Sequence, residues 1–189
     1  MKTLLLVRHA KSDWPTNIDD FDRPLNERGH KDAPKMAKFL KEISVTIDAF
    51  VTSPAKRALT TCRYFAEVFE NKNIQKIEEL YNASPTEFLE VIEHLNDSLD
   101  HVAIFSHNNG ITYFANSLTN ENIENMPTCS VVAFKISAES WKDFKNAEKN
   151  FLFFHSLYCE QRLSCLDLSI GKKAYSLIIL DLCAKDRRT

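Results

Sequence analysis

In the stretch VRHAKSDW, residues 7–14, Arg8 and His9 stand side by side straight after an apolar run at residues 4–7. A buried strand that ends on two cationic side chains presents them to something. Two more cationic groups occur in comparable settings. In AFVTSPAKRA, residues 49–58, Ser53 is a suitable N-cap and Pro54 suits the first helical position. Arg57 is then expected in the first helical turn, beside the positive end of the helix dipole. In VAIFSHNNG, residues 102–110, His107 is expected at a strand tip before a helix that starts near Gly110. Taken singly, each has an ordinary explanation: chance, a solvated helix residue, a capping or core histidine. Taken together, two arginines and two histidines at three strand ends, with helix N-termini nearby, suit a tetrahedral dianion such as a phosphoryl group.

The elements that must bring these residues together can be read from hydrophobic spacing. Short apolar runs at residues 3–7, 49–52, 102–105 and 131–136 predict strands, with a weaker one at 74–77. Between them, Ala33, Met36, Ala37 and Leu40 keep helical spacing. So do Ala58, Cys62, Phe65, Ala66 and Phe69, and Phe88, Val91, Ile92 and Leu95. Strands alternating with helices predict an α/β fold: a three-layer sandwich whose mainly parallel central sheet carries helices on both faces. In such sheets ligands bind beyond the carboxyl ends of the strands, where the cationic residues are expected. Pro34 should lie in the first turn of its helix, which places the helix start near residues 30–32. From Leu157 onward the pattern is irregular, and the apolar run at residues 176–183 is left unassigned. Only three glycines occur, and none forms a Gly-rich phosphate loop.

Composition narrows the function classes. The 189 residues suffice for one domain with a sizeable core. A net charge of −2 gives no global attraction to nucleic acid or acidic membrane, so any anion site must be local. The opening MKTLLLV is too short an apolar run for a signal peptide, and no stretch is long enough to span a bilayer. The five cysteines have no CxxC spacing and are odd in number, which suggests neither a disulfide framework nor a zinc site. A reduced, cytoplasmic protein is expected.

With VRHAKS, TSPAKRALTT and FSHNNG in this order, the chain resembles the histidine phosphatase superfamily, whose phosphoglycerate mutase-like fold carries an RH pair, a later SPxxRAxxT stretch and a second histidine. DFDRPLNERG (residues 20–29) and MPTCSVVAF (residues 126–134) resemble the SixA-like phosphohistidine phosphatase branch. The resemblance covers residues 1–156, taken as the histidine phosphatase domain; residues 157–189 form a C-terminal extension of unknown role. It implies a hydrolase in which a neutral His9 attacks phosphorus and becomes a phosphohistidine, which water then hydrolyses. Arg8, Arg57 and His107 would hold the phosphoryl oxygens. Arg23 is a candidate extension of the phosphate pocket, with a surface-turn role as the alternative, and Ser53 and Asn108 are further candidate substrate contacts. No metal or cofactor is expected, because guanidinium and imidazole groups supply the positive charge.

Members of the family that act on esters carry an acid to protonate the leaving oxygen. The corresponding stretch here, IEELYNASPTEF, puts Tyr81, Asn82 and Ala83 where that acid would stand, leaving Glu79, Asp20 and Asp22 as weak candidates. The expected substrate is therefore phosphohistidine in a partner protein, whose leaving nitrogen needs less help. The alternatives are a phosphatase or mutase for small phosphate esters, and a non-catalytic module that binds a phosphorylated ligand.

Overall fold

The computed structural model describes residues 1–157. Six strands form one sheet: β1 (Lys2–Arg8), β2 (Ala49–Thr52), β3 (Ile74–Lys76), β4 (His101–Ser106), β5 (Val131–Ile136) and β6 (Lys149–His155). Their order across the sheet is β3-β2-β4-β1-β5-β6. The pairings β3–β2, β2–β4 and β4–β1 are parallel, whereas β5 and β6 run antiparallel to their neighbours. The fold is thus the expected α/β sandwich, with an antiparallel edge on a mostly parallel sheet. The shape follows from β1. Leu4 and Leu6 point into one apolar core and Leu5 and Val7 into the other, and all four are essentially inaccessible to solvent. Burying each contributes about 1.5–3 kcal/mol.

Helices α1 (Glu27–Glu42) and α2 (Lys56–Val68) cover the Leu5 face with Met36, Leu40, Cys62 and Phe65. Helices α3 (Pro85–Glu93) and α4 (Gly110–Ser117) cover the other face with Phe88, Ile92, Ile111 and Phe114. These faces contain most of the positions whose spacing predicted the helices; Phe69 falls on the C-cap of α2 and is only partly buried.

Three expectations need correction. Helix α1 begins at Glu27, because the Asn26 side chain caps it by accepting the Gly29 N–H at 2.9 Å. Pro34 consequently lies inside the helix, where it removes the hydrogen bond to the His30 carbonyl. The helix survives because its buried face, including Ala33, Met36, Ala37 and Leu40, is fixed by packing. Second, α2 starts at Lys56 with Ala55 as N-cap. Ser53 cannot cap it, since its N–H still pairs with the Phe105 carbonyl and the proline after it holds it extended. Third, β6 was not read from the sequence. Its residues KNFLFFH are half-exposed along nearly their whole length, as befits an edge strand, and show no clean alternation. The unassigned run at residues 176–183 lies outside the described residues, as does almost all of the C-terminal extension.

Candidate active site

The parallel strands β2, β4 and β1 end on the same side of the sheet, and their ladder runs one residue further. The His9 N–H donates to the Ser106 carbonyl at 3.1 Å, and the Ser53 N–H donates to that of Phe105 at 3.0 Å. Arg8, His9, Ser53 and His107 are therefore held level by backbone pairing. Arg57 enters from the first turn of α2. The Thr61 hydroxyl, one helical turn on, donates to the Arg57 carbonyl at 2.7 Å and accepts the Ala10 N–H at 2.9 Å. This ties the turn after β1 to the helix that carries Arg57. Glycine matters at two helix starts. A Cβ on Gly110 would lie 1.8 Å from the Ala83 carbonyl oxygen, and one on Gly29 would lie 2.1 Å from that of Lys11. Both helix N-termini can approach these backbone segments only because the side chain is missing.

His9 is buried, and its Nδ1 lies 2.7 Å from the Ala10 carbonyl. A carbonyl only accepts, so Nδ1 carries the proton and Nε2 keeps its lone pair. Burial pushes the His9 pKa down to about 3; the Ala10 carbonyl opposes this, and Arg57, Arg8 and Arg23 add to it. The ring is a neutral nucleophile at ordinary pH. The ring of His107 lies 5.1 Å away, centroid to centroid. Its pKa is pushed down to about 2, first by burial, then by His9 and Arg57. Ser53 Oγ accepts the Ala55 N–H and lies 2.8 Å from His107 Nε2. In the tautomer whose Nε2 accepts the Ser53 hydroxyl proton, the imidazole donor is Nδ1. That atom is buried and has no partner among the described residues, and the same holds for Nε of Arg8 and of Arg57. Arg8 is steadied by Nη1, which donates to the Met126 carbonyl at 2.5 Å.

A second group of residues borders this centre. Arg57 donates from Nη1 to the Asp20 carbonyl oxygen at 2.5 Å and from Nη2 to its Oδ2 at 2.9 Å. Arg23 is buried and donates to Asp20 Oδ1 at 2.7 Å, to Ser12 Oγ at 2.5 Å and to the Asp13 carbonyl at 2.9 Å. Its guanidinium lies 3.1 Å from the centroid of the exposed Trp14 ring. The Tyr81 hydroxyl donates to Asp20 Oδ2 at 2.8 Å, and its ring meets His107 edge-on at 5.5 Å. Partial burial alone would raise the Asp20 pKa, but the bonds from Arg23, Tyr81 and Arg57 outweigh it and hold the carboxyl far below the usual range.

The structure therefore brings Arg8, His9, Arg57, His107 and Ser53 together, with Arg23 linked through Asp20. Asn108 is turned elsewhere: its amide nitrogen donates to Asn125 Oδ1, and its oxygen accepts from Thr112 Oγ1 at 2.6 Å. Glu79 and Asp22 are exposed on short 3₁₀ turns. Sequence reasoning missed Tyr81, Ser12 and Trp14 as neighbours of the cations. Tyr81 is 61 positions from Asp20, and no local pattern announces that contact. Among the described residues, no group of three or more His, Cys, Asp or Glu side chains is placed to hold a metal ion, and no helix is long and apolar enough to cross a membrane.

Comparison with known proteins finds similar sequences and a similar fold. The uncharacterized protein Rv1276c of Mycobacterium tuberculosis is 28% identical over 159 residues, covering 79% of this chain and 98% of its own. A 2,3-bisphosphoglycerate-dependent phosphoglycerate mutase of Bartonella tribocorum is 33% identical over 81 residues, 40% of this chain and 38% of the mutase. The structure of the protein histidine phosphatase SixA complexed with tungstate has the same fold, with a TM-score of 0.70 at 20% identity over 82% of this chain and 96% of that one. The family model of the histidine phosphatase superfamily (branch 1) matches residues 4–88 of this chain, a span that includes Arg8, His9 and Arg57.

Proposed function

We propose that the protein is a phosphatase that works through a covalent phosphohistidine on His9 and acts on phosphohistidine in a partner protein. The observation that carries this reading is the state of His9: a neutral ring with Nδ1 bound to a carbonyl and Nε2 free, set among guanidinium groups. In the first step His9 Nε2 forms a bond to phosphorus as the bond to the leaving group breaks. Arg8, Arg57 and His107 donate to the three phosphoryl oxygens, where charge lies in the transition state. In the second step water attacks phosphorus, and the electron pair of the P–N bond returns to His9 Nε2. A site shaped for phosphoryl oxygens is also supported by the tungstate bound to the SixA of the same fold, since tungstate is a tetrahedral oxyanion.

The choice of phosphohistidine rests on the leaving group. An alkoxide needs a proton in the transition state, help typically worth about 10²–10⁴-fold. Asp20 is ionised and committed to Arg23, Arg57 and Tyr81, and Glu79 and Asp22 are exposed. An imidazole leaving group takes its proton from solvent or a weak acid. The similarity to a phosphoglycerate mutase favours the second reading, turnover of small phosphate esters. A comparison of kcat/KM for a phosphohistidine protein, a phosphoramidate, para-nitrophenyl phosphate and sugar phosphates tests the choice. The expected order is P–N substrates first, the aryl ester intermediate and the sugar phosphates last. A sugar phosphate that matches the phosphoramidate would favour the second reading.

A further inference from the structure

Asp20 has no place in the mechanism above, yet its carboxylate is bound by two of the three arginines at the site, Arg57 and Arg23. Each of its oxygens accepts from an arginine, and Oδ2 also accepts from Tyr81. Arg57 donates from Nη2 to the Asp20 carboxylate and from Nη1 to the Asp20 backbone carbonyl, so in the free protein the Nη2 side of that guanidinium faces an anion supplied by the chain itself. The side chain is 41% exposed, so the carboxylate borders solvent as well as the arginines. Its charge reaches the centre of the site, since it acts on His107.

We propose that Asp20 is an internal counter-anion: its carboxylate positions Arg57 and Arg23 before substrate arrives and offsets part of the positive charge that these guanidinium groups present to the phosphoryl group. The inference rests on the phosphatase reading of this site and deepens it. Two consequences follow from the charges. Three guanidinium groups and one carboxylate leave two net positive charges, the complement of a phosphoryl dianion. Without Asp20 the site would carry three, and the phosphate left after hydrolysis would be held too tightly. Asp20 thus favours both orientation of Arg57 and release of product.

The test is Asp20→Asn, which keeps the size and removes the charge. Two quantities are measured: the dissociation constant of inorganic phosphate by equilibrium dialysis, and kcat with a phosphoramidate. Relief of like-charge repulsion at a partly exposed site should tighten phosphate binding about tenfold. Loss of the fixed Arg57 orientation should lower kcat by about tenfold or more. A residue that only stabilised the arginines would weaken binding and kcat together, and that outcome would overturn the proposal. So would an unchanged phosphate affinity, which would mean that Asp20 does not face the phosphoryl position. Tyr81→Phe provides a second variant: with one donor to Oδ2 removed and both arginine bonds retained, it should change phosphate affinity less than Asp20→Asn does. Wild-type protein that binds phosphate but never forms a phosphoenzyme would sink the catalytic reading and leave this inference standing. Wild-type protein that binds no phosphate would overturn both.

Discussion

Arg8 and Arg57 have separate anchors, so their single substitutions should have separable effects. Arg8 is fixed by the Met126 carbonyl, and Arg57 by Asp20 and by the helix that Thr61 ties to Ala10. Arg8→Ala or Arg57→Ala should each lower kcat by about 10²–10³-fold, the usual scale for loss of one preorganised donor. Their thermal midpoints should stay close to that of the parent protein, and steady-state kinetics with a phosphoramidate checks the prediction. Vanadate should inhibit the parent, because its five-coordinate form imitates phosphorus in transfer, and should inhibit Arg57→Ala far less. The residues that carry charge were legible in the sequence, because RH at a strand end and Arg57 in a first helical turn are local patterns. Tyr81 and Asp20 were not legible as partners, because their contact is made by the folded backbone and by no spacing in the chain.

At the scale of elements, the site depends on how closely two helix starts approach neighbouring backbone. Gly110→Ala would force a Cβ against the Ala83 carbonyl, and α4 would have to move away from the end of β4 that bears His107. Overpacking of this kind typically costs about 1–3 kcal/mol. A lowered denaturant midpoint with a larger loss of activity is the expected result; unchanged values for both would contradict the account. The parallel strands β1, β2 and β4 were legible because each is a buried apolar run, as in LLLV and AFVT, whereas β3 is exposed and gave only a weak run. Strand β6 was not, since an edge strand half-exposed along most of its length keeps no clean pattern. The start of α1 was misplaced because Pro34 is a strong local signal for a first turn. The Asn26 cap and the packing of Met36 and Leu40 outweighed it.

For the whole molecule, two neutral histidines buried in one site make stability depend on pH. His9 and His107 have folded pKa values pushed down to about 3 and about 2, against 6.5 for a free side chain. Below pH 6.5 the unfolded chain binds protons that the folded chain refuses, so stability falls as pH drops through the window between 6.5 and the folded values. The Asp20 carboxyl is likewise held below its ordinary range in the folded protein, so its shift has the same sense and adds its own loss at more acid pH, from the usual carboxylate range downward. Between pH 6.5 and 4.5, a His9→Asn/His107→Asn double variant should therefore lose thermal stability less steeply than the parent; equal slopes would refute the burial argument. The domain is proposed to span residues 1–156, and the last described residues still pack: Ser156 is buried and Leu157 lies against the Leu5 core. Truncation after Leu157 should leave a folded, active phosphatase, and an insoluble or inactive product would show that the extension belongs to the domain.

The central claim is a covalent bond between phosphorus and His9, and one experiment addresses it directly. The protein is mixed briefly with a ³²P-labelled phosphoramidate, quenched in acid or in base, and run on denaturing gels beside His9→Ala and His107→Ala. The account predicts label on the parent protein that is stable in base and lost in acid, as expected of a P–N bond. It predicts no label on His9→Ala, and slowed labelling of the same acid-labile kind on His107→Ala. Undiminished label on His9→Ala, or label that resists acid, would contradict it.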